Sequence, residues 1–227
     1  MESTNPTTKI NVERLKLALL QRKPTTSRFN LPMTCSQAKD SMKAAVMAEV
    51  ERRLMKFAEN EALDKQLSLM AEWLTTNDHR FCLLLCGKCG NGKSTLVKAF
   101  QNLLNLLGLR DEYGNTIGFS IVDAREIAWM CRDRHQEWRA LSRRNMLAID
   151  DIGTEPVEIQ DYGNHLNPVI DLLYKRYDEQ LFTIITTNLT PKEIRERYGE
   201  RIADRLNEMA FRIVFDNDTY RTNSTSL

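Results

Sequence analysis

A glycine-rich stretch that ends in a lysine and a serine carries the clearest chemistry in this chain. Residues 81–95 have the sequence FCLLLCGKCGNGKST, and residues 87–94 within it match the phosphate-binding pattern G-x-x-x-x-G-K-[ST]. The glycines let successive backbone N–H groups point into one cup, and the helix that follows adds the positive end of its dipole. Lys93 can then reach the β- and γ-phosphates of a nucleoside triphosphate, while the Ser94 hydroxyl can bind Mg²⁺.

The flanking residues favour a nucleotide site over an ordinary glycine-rich turn. The apolar run 81–86 precedes the loop and the helical pattern TLVKAFQNLLNLLG follows it, which is the strand–loop–helix setting that phosphate binding requires. A metal site at Cys82, Cys86 and Cys89 would compete with the nucleotide and is disfavoured. The residues expected to contact the nucleotide are Gly87, Lys88, Cys89, Gly90, Asn91, Gly92, Lys93, Ser94 and Thr95.

Further polar residues follow later apolar runs. Asp150 and Asp151 end one run and Asn188 ends another. Because the carboxyl ends of parallel strands meet at one edge of a sheet, these residues should lie beside the glycine-rich loop. We expect Asp150 to join Ser94 at Mg²⁺ and Asp151 to polarise an attacking water. Asn188 can orient that water or contact the γ-phosphate. Each could be a solvated strand end, but their order after the loop favours catalysis.

Apolar runs that alternate with helical segments predict an α/β fold with a five-stranded parallel sheet between helices. Asn167 and Pro168 open one helix, and a capping box with Thr190 and Glu193 opens another. The predicted strands are residues 81–86, 118–122, 146–149, 182–187 and 211–215, and one long helix is predicted over 125–142.

The amino-terminal quarter has a different character. Residues 1–60 carry 11 Lys and Arg against 6 Asp and Glu, whereas the whole chain has a net charge of +1. Helical periodicity predicts helices over 12–22 and, from a cap at Thr34 or Ser36, through residue 60, with a further helix over 61–74. These helices either pack on their own domain or grip another protein. We expect 1–60 to be a small, basic, helical partner-binding region and 61–227 to be the nucleotide-binding domain.

Composition excludes some classes of protein. No run approaches the roughly 18 apolar residues of a membrane span, and the amino terminus lacks the apolar core of a signal peptide. The 5 cysteines are irregularly spaced, which fits reduced thiols better than a disulfide framework. The expected location is therefore the cytoplasm.

Three blocks of sequence resemble a known family. MLAIDDIGTEP, TIITTNLTPKEI and YGERIADRLNEMAFRIVFDNDTYR are similar to the AAA+ ATPases of the DnaC/DnaI helicase-loader group and to the related IstB transposition helpers. The resemblance spans about residues 65–223. It implies an AAA+ fold, an ATPase that uses ATP and Mg²⁺, Walker A at residues 87–94, Walker B at Asp150 and Asp151, and sensor 1 at Asn188.

The resemblance also assigns two arginines. The helix from Arg201 to Arg205 matches the segment that supplies a finger to the nucleotide of a neighbouring subunit, and we choose Arg205 as the finger. Arg221 matches the nucleotide-contacting sensor 2. Arg201 and Arg205 lie on one helical face, and a planar guanidinium suits charge spread over phosphoryl oxygens. The residues alone favour an ordinary ion pair of these arginines with Glu200, Asp204 or Glu208, and the resemblance reverses this preference.

Two departures from the superfamily bear on mechanism. Asp151 stands where many AAA+ proteins have glutamate, so its shorter side chain has further to reach as a base. The sequence ends six residues after Arg221, so we expect no carboxyl-terminal helical lid. A site without a lid is open to water, needs a neighbouring subunit to complete it, and turns over slowly in the monomer.

A basic, tryptophan-bearing segment suggests contact with single-stranded DNA. Trp129 and Trp138 offer rings for stacking bases, although both could belong to the core and acidic residues interrupt the charge. The arginines of this segment are Arg125, Arg132, Arg134, Arg139, Arg143 and Arg144.

The resemblance implies a protein that loads the replicative helicase onto single-stranded DNA, with ATP binding and hydrolysis controlling assembly and release. Residues 1–60 would hold the helicase, and Arg205 would act between subunits. An IstB-type helper acting on a transposase is the nearest alternative. A small-molecule kinase and a nucleotide-gated scaffold with little hydrolysis are more distant ones.

Overall fold

The computed structural model describes residues 11–22, 28–77, 80–161 and 163–220. No helix in these ranges is long and apolar enough to cross a membrane. The helices are α1 (Val12–Arg22), α2 (Cys35–Glu51), α3 (Glu61–Thr75), α4 (Lys93–Leu107), α5 (Ala124–Asp133), α6 (His135–Ser142), α7 (Pro168–Asp178), α8 (Pro191–Tyr198) and α9 (Glu200–Met209). The strands are β1 (Cys82–Gly87), β2 (Phe119–Asp123), β3 (Met146–Ile152), β4 (Ile159–Asp161), β5 (Asn164–Leu166), β6 (Phe182–Thr187) and β7 (Ala210–Phe215).

The central sheet confirms the predicted α/β architecture. Its five strands are parallel and lie in the order β2-β3-β6-β1-β7. Alternate residues of β1 point to opposite faces, so Leu83 and Leu85 join a core with α2, α3 and α4, while Leu84 joins a second core with α5, α7 and α9. The loops after β1, β3 and β6 therefore meet at one edge of the sheet.

The predicted helix over 125–142 is two helices. Arg134 leaves the helical conformation, with φ −137° and ψ 53°, and separates α5 from α6. The β4–β5 hairpin, which was not predicted, packs its Ile159 against Ala128 and Cys131 of α5. Strands of three residues are too short to show an alternating pattern.

The amino-terminal helices divide into a packed part and an exposed part. Thr34 caps α2 in a capping box with Gln37, and Met42 and Val46 of α2 lie in the core with α3 and α4. Helix α2 ends at Glu51 rather than continuing to residue 60, because the chain turns at Leu54, whose φ is 59°. Helix α1 is exposed from Val12 to Gln21. The division of the chain at residue 60 stays a prediction.

Candidate functional site

The glycine-rich loop is locked against the edge strand β7. A Cβ atom on Gly87, where φ is +152°, would lie 2.2 Å from the backbone oxygen of Phe215 and 2.6 Å from the Asn91 side chain. Asn91 is buried and its Nδ2 donates to that same oxygen at 2.8 Å. Only glycine fits this close approach of two backbones, so the first glycine of the motif is required for packing as well as for curvature.

We expect Gly87→Ala to lower the free energy of unfolding by about 3 kcal/mol, because the new methyl group must displace main-chain atoms. Chemical denaturation measures the change. Gly118→Ala is the matched control, since a Cβ there meets nothing within 4 Å and its effect should stay within about 0.5 kcal/mol. Similar stability of the two variants would contradict the close packing at Gly87.

The amine of Lys93 lies inside the curl of the loop. Its Nζ lies within hydrogen-bonding distance of four oxygens, namely the backbone oxygens of Gly87 (2.7 Å) and Lys88 (2.8 Å) and the side-chain oxygens of Asn91 (3.0 Å) and Asn188 (2.8 Å). Burial lowers the pKa of Lys93. The structure thus joins the predicted lysine and the predicted sensor asparagine by a direct hydrogen bond, although they are 95 residues apart.

Ser94 and Asp150, the two residues predicted to bind metal, are also in contact. Ser94 Oγ donates to Asp150 Oδ1 at 2.9 Å, and Thr186 Oγ1 donates to the same oxygen at 2.7 Å. Hydroxyl and carboxylate oxygens are the ligands that Mg²⁺ prefers, and this ion is commonly held by one or two carboxylates beside phosphate. The donor set therefore fits Mg²⁺. Sequence reasoning missed Thr186, because a threonine inside a β-strand is an ordinary strand residue.

Asp151 has an unusual backbone and an unusual environment. Its φ is 56°, in the left-handed region, and its N–H donates to Thr186 Oγ1 at 2.8 Å. Burial raises the pKa of Asp151, and the neighbouring charge of Asp150 raises this pKa further. A carboxylate with a raised pKa is a better proton acceptor, which fits the predicted role as a base.

We expect Asp151→Asn to lower ATP turnover by about a hundredfold, as loss of a general base does, while leaving the free energy of unfolding equal or higher at neutral pH. The sign follows from the raised pKa, because the charged form is disfavoured in the folded state. Asparagine also tolerates the left-handed backbone. Asp151→Ala is the comparison, since alanine does not, and it should be less stable than Asp151→Asn by about 1 kcal/mol. Full turnover by Asp151→Asn would contradict the base assignment.

A cavity of about 600 Å³ extends from the loop towards the amino-terminal helices. Lys93, Asp151 and Asn188 line its polar end. The opposite end has the apolar character that suits a nucleobase. Sequence reasoning missed it because apolar residues here, such as Val46, Val50 and Phe57, fit the periodicity of any core helix. From α2 to α3 the apolar lining residues are Val46, Val50, Met55, Phe57, Ala58 and Leu63, with Arg53 and Lys56 beside them.

The segment after β7 crosses the loop. The Tyr220 N–H donates to the Gly90 oxygen at 2.9 Å, and Asn217 Nδ2 donates to the Asn91 oxygen at 3.3 Å. Asn60, the cap of α3, donates to the Tyr220 hydroxyl at 3.0 Å. Arg221 follows directly but lies outside the described residues, so its contact with nucleotide stays a prediction.

Arg205 lies away from the cavity of its own chain. Its guanidinium is 4.7 Å from the ring centroid of Tyr174 and 5.0 Å from that of Tyr177, both on α7, and it is not among the residues that line the cavity. Within the described ranges no ion pair joins it to the carboxylates of α9 considered above. Arg201, one turn earlier, is exposed.

The two tryptophans of the basic segment differ. Trp129 is 49% exposed, with the Arg132 guanidinium 4.6 Å from its ring centroid. Trp138 packs against the core. Acidic neighbours pair with several of the arginines, for example Asp123 with Arg125 at 3.0 Å. Trp129 is therefore the more accessible of the two for stacking.

Together, the loop, the acidic pair and the asparagine at one edge of a parallel sheet define a P-loop protein with the AAA+ fold. Known structures share this fold. The chain is similar to the DnaC helicase loader (TM-score 0.53, 19% identity, 70% of this chain and 93% of that chain) and to DnaI (TM-score 0.56, 17% identity, 81% and 93%).

A third similar structure is the replication initiator DnaA bound to AMPPCP and single-stranded DNA (TM-score 0.51, 14% identity, 71% of this chain and 49% of that chain). No protein-family model and no curated protein matches the sequence. At these identities the likeness is one of fold, and it confirms the AAA+ architecture that the sequence blocks implied.

Proposed function

We propose that this protein is an ATPase that loads a replicative helicase onto single-stranded DNA in the cytoplasm. The observation that carries the proposal is the meeting of Lys93, Asp150, Asp151 and Asn188 around one cavity, on a fold shared with DnaC and DnaI. Structural similarity does not distinguish a helicase loader from an IstB-type helper, whereas co-purification with a helicase or with a transposase does.

The side chains of the loop and of the sheet edge bind the phosphates and activate the attacking water. Lys93 exchanges its backbone and asparagine acceptors for phosphate oxygens, and Asn188 is released to contact the γ-phosphate or the attacking water. Ser94 and Asp150 would hold Mg²⁺, which would neutralise charge on the phosphates. Asp151 accepts the proton of the water. The apolar end of the cavity receives the adenine, and Arg221 contacts the nucleotide.

A second copy of the chain supplies Arg205. Because this arginine lies on α9 and not in its own cavity, it reaches phosphate only across an interface between subunits. ATP binding therefore favours assembly of the subunits, and ATP hydrolysis lets the assembly dissociate. An isolated subunit should therefore turn over ATP slowly.

Two exposed surfaces serve the partners. The basic region 1–60 holds the helicase, chiefly through α1, whose Val12, Leu15 and Leu19 lie on one side and are 70%, 49% and 56% exposed. An amphipathic helix of this kind docks its apolar side in a groove. Trp129 and the arginines around it contact single-stranded DNA, and the DnaA complex with single-stranded DNA lends support through its shared fold.

Co-purification with the replicative helicase, with and without ATP, tests the proposal. We expect the full chain to retain the helicase and Leu19→Glu, an exposed change on α1, to lose it while keeping ATP binding. Recovery of a transposase without helicase would establish the IstB-type function instead. Transfer of phosphate to a small acceptor, independent of DNA and helicase, would establish a kinase.

A further inference from the structure

A carboxylate outside the nucleotide cavity is buried between two functional segments. Glu155, in the segment after β3, is only 2% exposed. Its Oε1 accepts a hydrogen bond from the Tyr198 hydroxyl at 2.5 Å, and its Oε2 accepts one from the Gly153 N–H at 2.8 Å. Arg197 is a second partner: its Nε pairs with Oε1 at 3.9 Å, and its Nη2 donates to the Glu155 backbone oxygen. Glu155 therefore contacts the end of α8 through the Tyr198 hydroxyl and through Arg197.

Burying the Glu155 carboxylate adds little to the free energy of unfolding. Removing a carboxylate from water carries a large penalty, and an apolar pair of similar volume commonly packs at least as well. The best-attested use of such buried polar groups is to hold two elements in one relative position. Glu155 and Tyr198 are 43 residues apart in sequence, so their contact fixes the segment after β3 against the end of α8.

On one side, the contact reaches the catalytic edge of the sheet. A Cβ atom on Gly153, where φ is +104°, would lie 2.8 Å from the side chain of Leu189, the residue after Asn188. The Thr187 hydroxyl also donates to the Ile152 oxygen at 2.8 Å. The segment that bears Glu155 is therefore packed on the strand end that presents Asn188 to Lys93.

On the other side, the contact reaches the helix that carries Arg205. Tyr198 is the last residue of α8, and the turn into α9 is braced by the Arg195–Glu200 ion pair at 2.7 Å. Backbone bonds at Gly199 complete the brace, since its N–H donates to the Arg195 oxygen at 3.0 Å and its oxygen accepts from the Ala203 N–H at 3.2 Å. The end of α8 and the start of α9 are consequently joined by direct contacts.

We propose that Glu155 and Tyr198 are positioning residues that connect the γ-phosphate end of a subunit's own cavity to the arginine it offers to its neighbour. When the γ-phosphate binds Lys93, Asn188 loses its hydrogen bond to that amine. The resulting shift of Asn188 displaces the segment with Gly153 and Glu155, and through Tyr198 it displaces α9. The position of Arg205 thereby depends on whether the cavity of its own subunit holds nucleotide. The inference rests on the proposed action of Arg205 between subunits.

Assemblies mixed from two variants show which side of an interface a substitution affects. We call the subunit that contributes the nucleotide cavity the acceptor and the subunit that contributes Arg205 the donor. An acceptor subunit carrying Arg205→Ala keeps its cavity and lacks the finger, while a donor carrying Asp151→Asn keeps the finger and lacks the base. The mixture should turn over ATP faster than either variant alone. An acceptor cavity that faces a donor has both the base Asp151 and the finger Arg205, which neither variant assembles by itself. Tyr198→Phe is then placed in the donor or in the acceptor, and ATP turnover, ATP binding and melting temperature are measured for each.

We expect Tyr198→Phe to lower the turnover of the mixture about tenfold when it is in the donor, as a small misplacement of a reacting group does, and to leave it unchanged in the acceptor. Glu155→Gln in the donor should have a smaller effect, because the amide oxygen can still accept from Tyr198. Should Tyr198→Phe fail to fold, the same comparison with Glu155→Gln decides the matter.

Each outcome has a distinct meaning. Equal losses in donor and acceptor, or a loss in the acceptor alone, would overturn the positioning role and leave the action of Arg205 between subunits intact. Absence of any rise when the two parent variants are mixed would refute that action itself and the positioning role with it. Unaltered turnover with both substitutions in the donor would show that the Glu155–Tyr198 contact is purely structural.

Discussion

Arg205→Ala should keep ATP binding and lower the turnover of the assembled protein by about 10³-fold or more, the range in which an arginine finger acts. Binding is kept because Arg205 lies outside the cavity of its own chain and its guanidinium contacts Tyr174 and Tyr177. Turnover falls because the variant lacks the fixed positive charge that the proposed finger brings to the γ-phosphate of the neighbour. Nucleotide titration and steady-state phosphate release measure the two effects.

Arg201→Ala is the matched control for this prediction. It removes an arginine four residues earlier on the same helix, but that side chain is exposed and its loss should change turnover by less than about twofold. Arg205→Lys tests the geometry, since lysine keeps the charge without the planar fork. Equal turnover of Arg205→Ala and the parent protein would rule out the finger assignment.

Lys93→Ala should abolish detectable ATP binding or lower turnover by about 10³-fold. The amine is buried among four acceptors at the polar end of the cavity, where phosphate oxygens would replace them. Without it, the phosphates meet backbone oxygens that repel them. Nucleotide affinity is measured by titration with a fluorescent ATP analogue and by competition with ATP.

Lys98→Ala provides the control for Lys93→Ala. Both lysines lie on α4, but Lys98 is exposed, and its removal lowers the positive charge of the helix without touching the cavity. ATP affinity should then change by less than about twofold. Comparable losses in the two variants would show that general charge, and not the contact of Lys93 with phosphate, governs binding.

Local patterns predicted much of the fold. Of the two predicted caps Thr34 and Ser36, Thr34 begins α2, and the predicted capping box at Thr190 begins α8, since a cap depends on residues three apart. The strand predicted over 182–187 coincides with β6, because a buried parallel strand is a short apolar run bounded by polar residues. These signals act within one turn or one strand and do not require knowledge of what packs nearby.

Predictions failed where packing between distant segments overrides a local preference. A helical pattern runs across Arg134, yet the chain breaks there, and Trp138 packs beside the β4–β5 hairpin. The pattern that runs from α2 to residue 60 ends at Glu51, and the residues beyond it line the nucleotide cavity. In both places burial against another element outweighs helix propensity, which amounts to tenths of a kcal/mol per residue.

The sequence by itself determined the phosphate-binding loop, the order of Asp150, Asp151 and Asn188 after it, and the alternation that makes a parallel sheet. Motifs of this kind are contiguous, and sheet topology brings strand ends to one edge whatever the details of packing. Tertiary structure alone decided that α2 closes the apolar end of the cavity and that Arg205 rests on α7. It also decided that Glu155 meets Tyr198, because contacts between residues far apart in sequence depend on how whole elements pack.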